Sequence, residues 1–191
     1  MLSAHLNAFS ARIFSAASAA IAYMRFRSVR IRIHYSIMHI NPDHFLQTEN
    51  GRVITPELNK AAWEKSFAAL DEALRGAVPS TKVYVLVGPQ GAGKSTWAKA
   101  MYSKLRNPII FDAILVKVAE RRPIVSSAKA HLLGVVAVFF KTPLEVCLSR
   151  NACRPADEVV PERNVRNVHA AIEPPTIDEG FEQIIEITVV D

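Results

Sequence analysis

Gly88-Pro89-Gln90-Gly91-Ala92-Gly93-Lys94-Ser95 is the stretch of this chain whose residue types and spacing speak most directly of chemistry. It reads G-x-x-x-x-G-K-S, a loop whose backbone N–H groups can wrap an anion. Its glycines let main chain approach a phosphate with no side chain in the way. Lys94 supplies a positive charge for β- and γ-phosphates, and the Ser95 hydroxyl can ligate Mg²⁺. Thr96, next in line, backs the loop or meets an α-phosphate. Residues 88–96 are thus expected to hold a nucleoside triphosphate together with Mg²⁺. The alternative is a glycine-rich turn that happens to carry Lys-Ser. The flanks argue against it, because a β-branched strand, Val83–Val87, precedes the loop and a helical pattern follows.

Five other charged positions could join that chemistry. Asp112 closes the apolar run Ile109-Ile110-Phe111. An acid at the carboxyl end of a buried strand stands where open α/β sheets bind ligands, and it can hold Mg²⁺ directly or through water. A helix N-cap is the other reading of Asp112. Arg150 and Arg154, with Arg163, surround Asn151–Pro155 and the acids Asp157 and Glu158. Such a segment suits a lid whose arginines meet charge developing on a transferred phosphate. A solvated charged loop is the alternative. Asp43, after Asn41-Pro42, ends a short strand. It is either a carboxylate that orients and deprotonates an acceptor hydroxyl, or a turn and cap residue. Cys147 and Cys153 match no zinc or redox motif, and Cys147, at helical spacing from Leu144, reads as core. The six His are scattered and suggest no metal site.

The elements that must carry these residues follow from Pro, Gly and periodicity. Ser36–Ile40 reads as a strand and Glu49–Arg52 as a turn. Thr55-Pro56-Glu57 starts a helix, with Thr as N-cap and Pro in the first turn. Trp63, Phe67, Leu70 and Leu74 recur along it as a core face, and Gly76 ends it. Lys94 to about Leu105 is a helix, Ile109–Phe111 a strand, Leu115–His131 a helix containing Pro123, and Val135–Phe140 a strand. Helices over Pro143–Asn151 and Pro161–Ala171 precede a last strand, Ile184–Val190. Strands alternating with helices predict an α/β protein with a parallel sheet of about five strands covered on both faces. Trp97 is read as packing, with a nearby nucleobase as a second possibility.

Composition excludes other classes. With 50% hydrophobic and 21% charged residues, 191 residues can bury a full core, so wholesale disorder is out. Two Cys cannot staple a small scaffold. The net charge of +5 lies entirely in residues 1–37, which hold five Arg and no acid; the remaining 18 Lys and Arg face 18 Asp and Glu. A neutral body does not favour nucleic acid as partner, although a local basic groove could still bind it. Residues 1–37 are expected to lie outside the folded domain at 38–191. They have the Arg- and Ser-rich, acid-free composition of an organellar transit peptide, and the serines interrupt what a secretory signal would need. An over-long gene start, with initiation at Met24 or Met38, is the third reading. The expected location is cytoplasmic, or an organelle matrix if the transit reading holds, with no membrane span.

From Val83 onward the chain resembles the small P-loop kinases of the polynucleotide-kinase-like AAA-type ATPase family, zeta-toxin-like enzymes among them. The resemblance rests on Gly88–Thr96, Ile109–Asp112, Pro143–Asn151 with Arg154, Val160-Pro161-Glu162, and Glu173-Pro174-Pro175 through Glu179-Gly180-Phe181. It implies a P-loop NTPase fold, ATP and Mg²⁺, and transfer of the γ-phosphoryl group to a hydroxyl acceptor, whether polynucleotide, nucleotide-sugar or small metabolite. Lys94, Arg150 and Arg154 would act on the phosphates, and Ser95 and Asp112 on the metal. Such kinases usually carry, after the P-loop helix, a strand ending in an acceptor-binding Asp. Here only a few residues separate Leu105 from Ile109. Ile40–Phe45, Gly51-Arg52 and the helix from Thr55 to Leu74 look like that missing segment, standing before the P-loop. A circular permutation is therefore expected, with Asp43 as the acceptor-side carboxylate. It should then lie beside the loop and within a few side chains of Asp112. Relatives often carry a second acid and an Arg where this chain has His44 and Leu46, which weakens the case for a nucleic-acid 5′ end. An NTPase that uses water and a nucleotide-binding regulatory module are the rival functions.

Overall fold

The central strands of the sheet are apolar on both faces, and the two faces divide the core by alternation. The computed structural model describes residues 39–49 and 51–188. The expectations for residues 1–37, the strand onset at Ser36 and the strand end at Val189-Val190 lie outside those residues. In chain order the elements are β1 (His39–Ile40), a 3₁₀ turn (Pro42–Phe45), β2 (Gln47–Thr48), β3 (Gly51–Arg52), α1 (Pro56–Arg75), β4 (Lys82–Val87), α2 (Lys94–Tyr102), β5 (Pro108–Asp112), α3 (Val118–Ala130), β6 (Gly134–Lys141), α4 (Leu144–Ala152), α5 (Glu162–Ala170), a 3₁₀ turn (Ile177–Glu179) and β7 (Gln183–Thr188). Five strands form one parallel sheet in the order β1-β5-β4-β6-β7. β2 and β3 make a small antiparallel hairpin.

Side chains alternate across a strand. Val83, Val85 and Val87 of β4 join Ile109 and Phe111 of β5, and Val135, Ala137 and Phe139 of β6, in the layer that holds Leu70 and Leu74 of α1 with Ile124 and Ala128 of α3. Tyr84, Leu86, Ile110, Val136, Val138 and Phe140 join the opposite layer, with Ala98 of α2, Cys147 of α4 and Val165 of α5. Cys147 is core, as its spacing suggested. Trp63 and Phe67 lean on Phe111, so the α1 aromatics are packing residues. The α1 start is the one read from sequence: Thr55 Oγ1 accepts from Leu58 N, with Pro56 in the first turn.

One boundary differs enough to matter. The helix expected from Leu115 begins at Val118. Leu115 and Val116 are buried in irregular chain, because Glu173 N donates to the Val116 carbonyl (2.8 Å) and the Glu173 carboxylate accepts from Val118 N (2.7 Å). A contact from 55 residues away overrides the local apolar pattern. α2 stops at Tyr102, short of Leu105, and Gly51-Arg52, expected in a turn, form β3 of the hairpin.

Candidate functional site

Because the strands are parallel, their carboxyl ends gather Asn41, Gly88, Asp112 and Thr142 along one edge. β4 hands over directly to the glycine-rich loop, which ends as α2 begins at Lys94. Gly91 and Gly93 have φ of +76° and +98°, a region that L side chains avoid. A Cβ on Gly91 would also strike the Cys147 carbonyl of α4, so this turn accepts only glycine. Thr142 Oγ1, past the end of β6, donates to Ala92 O at 3.0 Å and pins the loop from the other side. The loop thus presents the N-terminus of a nine-residue helix to whatever lies in front of it, the arrangement that attracts phosphate.

Lys94 is 8% exposed, and its Nζ donates to the carbonyls of Gly88 and Pro89, each at 2.8 Å. Burial pushes its ammonium down to about 8, the Asp112 carboxylate acting against that shift and the Arg154 charge with it. Two pH effects of opposite sign follow. Between pH 8 and the ordinary lysine value the unfolded chain binds more protons, so this group's contribution to stability rises with pH there and is constant below it. Phosphate affinity should fall over the same window as the cation is lost. Calorimetry with a non-hydrolysable ATP analogue is expected to give about tenfold weaker binding at pH 9 than at pH 7; equal affinity at both would refute this role for the Lys94 charge.

Asp112, 1% exposed, is the hub of the edge. Its Oδ2 accepts from Ser95 Oγ at 2.6 Å, from Asn41 Nδ2 at 3.1 Å and lies 3.1 Å from His39 Nε2. Burial alone would raise this carboxyl. The His39 hydrogen bond, the Lys94 charge and the Ser95 hydroxyl outweigh burial and hold it below the usual carboxylate value. It caps no helix, since α3 starts six residues later. Ser95 and Asp112 set a hydroxyl beside an ionised carboxylate, a pair of hard oxygens that suits Mg²⁺. Among the described residues no cluster of three His, Cys, Asp or Glu is set to hold a metal. A Mg²⁺ on Ser95 and Asp112 would therefore complete its shell with phosphate and water, which is its habit.

Asp43 sits on the same edge, two residues past Asn41. The cap of its 3₁₀ turn is Asn41, whose Oδ1 accepts from Asp43 N at 2.9 Å. The Asp43 carboxylate is free of that task and pairs with Arg52 at 3.1 Å. Its charge is felt at Lys94, and the neighbouring His44 meets His39 edge-on at 5.2 Å. Leu46 is buried.

On the far flank of the loop lies a cavity of about 660 Å³, lined by residues 91–97, Ala100, Phe140, Ile187, Arg150 and Arg154. Arg150 Nη1 stands 3.7 Å from where a Cβ on Gly93 would be. Trp97 packs near Tyr84 and Phe140, and it also lines the cavity. Arg163 is on α5, outside that lining.

The sequence reading passed over His39, Asn41, Arg52 and Thr142. Asn41 at a strand end before Pro-Asp was a legible cap; the other three depend on partners distant in the chain. It also missed the buried pair Arg121–Glu179. The Glu173–Phe181 stretch that carried part of the resemblance is structural, since Glu173 ties the start of α3 and Glu179 neutralises Arg121.

No curated protein matches the chain. Residues 101–175 match the model of a family described as AAA domain; the match begins in α2, beyond the glycine-rich loop, and runs through Asp112, Arg150 and Arg154 to Pro175. The five-stranded parallel sheet flanked by helices, with that loop between β4 and α2, is a P-loop NTPase fold, and the family match supports an AAA-type P-loop relationship.

Proposed function

We propose that this chain is an ATP-dependent phosphotransferase, a small P-loop kinase of circularly permuted order that acts on a hydroxyl acceptor. The observation that carries the reading is the seat of β1. It pairs in parallel with β5, His39 with Ile110 and Ile40 with Phe111, and Asn41 at its end is bonded to Asp112. Asp43 thereby shares the edge of the phosphate loop. The five residues 103–107 between α2 and β5 leave no room for a strand and a helix, while β1 and α1 pack on β5 from the front of the chain. That arrangement supports the permuted order.

In this reading the loop from Gly88 to Thr96 cradles the triphosphate. Ser95 and Asp112 would hold Mg²⁺, which draws charge from the phosphate oxygens. Asp43 accepts the proton of the acceptor hydroxyl as its oxygen forms a bond to the γ-phosphorus. The bond from that phosphorus to the bridging oxygen breaks, and ADP leaves with the electron pair. Lys94, Arg150 and Arg154 meet the charge that spreads over the phosphoryl oxygens.

Asp43→Asn keeps the size of the side chain and removes the base. Transfer from Mg-ATP to a pool of 5′-hydroxyl oligonucleotides, nucleosides and sugar nucleotides should fall about 10²- to 10⁴-fold, with binding of an ATP analogue unchanged. Undiminished transfer would reject the role of Asp43.

A further inference from the structure

Arg52, at the end of the β2–β3 hairpin, touches both sides of the edge. Its side chain is 11% exposed, and its Nε is buried with no hydrogen-bond partner. Nη1 donates to Asp43 Oδ2 at 3.1 Å, and Nη2 lies 3.5 Å from Glu158 Oε1. Its backbone N–H donates to Asp157 Oδ2 at 2.8 Å. Gly51 beside it has φ of +96°, and a Cβ there would come 2.9 Å from Asp157 Oδ2, so the hairpin main chain lies flush on that carboxylate. Asp157 and Glu158 follow Arg154 by three and four residues. One guanidinium thus joins the turn that bears Asp43 to the segment that bears a phosphate-side arginine.

We propose that Arg52 is a positioning residue. It holds Asp43 and the Arg154–Glu158 segment as one unit, so that the carboxylate and the arginine reach the phosphates together. The inference rests on the reading of Asp43 given above. An exposed ion pair would contribute little to such order. Here the fork is largely shielded from water and fixed between two carboxylates, which is where arginine orients its partners best. Removing it leaves Asp43 and Glu158 as like charges around the space it filled, and their repulsion separates the two sides.

The test uses the full chain with Arg52→Gln, Arg52→Lys and Asp43→Asn. Hydrogen–deuterium exchange needs no acceptor. In Arg52→Gln, the amides of residues 154 and 156–160 should exchange about tenfold faster, the loss of one charge-assisted tie, with β4, β5 and β6 at the wild-type rate. Arg52→Lys should recover part of the protection. With the acceptor pool described above, Arg52→Gln should lower kcat about 10²-fold and leave KM for ATP within about twofold. Wild-type exchange over 154–160 would overturn the link. Faster exchange spread through the sheet would assign Arg52 to general stability and overturn the positioning role, as would an unchanged kcat. Loss of transfer in Asp43→Asn with normal transfer in Arg52→Gln would sink this inference alone. Normal transfer in Asp43→Asn would sink the reading beneath it.

Discussion

Lys94→Met is expected to cut turnover of Mg-ATP by about 10³-fold while leaving the fold as stable as before or more so. The two halves of that expectation have one cause. The ammonium is buried on the carbonyls of Gly88 and Pro89, and burial depresses its pKa to about 8, so the protein holds this charge against its own solvation preference. Methionine matches the stem and removes the charge. It leaves two carbonyls short of a donor, and it also removes the desolvation penalty of the cation. The proposed phosphate site loses the cation of its loop with nothing to replace it. Steady-state ADP release and thermal denaturation, measured on the same preparation, check both halves. A variant that keeps its turnover would mean that the loop does not act on phosphate through Lys94.

Glu179→Gln should be the most destabilising single change near the β7 end of the chain, although it touches no part of the proposed chemistry. Arg121 is fully buried on α3, and Glu179 grips it at both ends of the fork, Oε2 to Nε and Oε1 to Nη2, each at 2.7 Å. Arg121 Nη1 donates to the Leu115 carbonyl at 3.1 Å, and Glu179 Oε1 also accepts from Thr176 N at 3.0 Å. The amide cannot neutralise the guanidinium. Breaking a buried pair from one side costs about 3–5 kcal/mol, which in a chain of this size lowers Tm by about 10 °C. The double change Arg121→Met with Glu179→Gln should cost less than Glu179→Gln alone, because no unpaired charge stays buried. Equal Tm for wild type and Glu179→Gln would contradict the pairing.

What the sequence disclosed follows the range of the interactions. The glycine-rich loop, the β-branched runs that flank it and the Thr55-Pro56 helix start depend on neighbours within a few residues, and each is where local chemistry put it. The apolar alternation of Val83–Val87 already implied two covered faces. Asp112 was legible as a strand-end acid, but its partners His39 and Asn41 come from 73 and 71 residues away. The hairpin tie between Arg52 and Asp157 spans 105 residues, and the one that delays α3 spans 55. No periodicity reports such contacts. Asp43 lies between the two cases: its strand-end position was readable, while its ion pair with Arg52 of the hairpin was not.

The proposed reaction moves the γ-phosphoryl group to a hydroxyl, with Asp43 serving the acceptor. It is tested most directly by incubating the full chain with γ-labelled Mg-ATP and, separately, 5′-hydroxyl oligonucleotides, nucleosides or sugar nucleotides. The label is then followed into each pool and into inorganic phosphate. Label is expected on the members of one pool, matched by ADP, in wild type and not in Asp43→Asn. Label appearing only as inorganic phosphate, at the same rate with every pool and in both proteins, would contradict it and make the chain a nucleotide hydrolase.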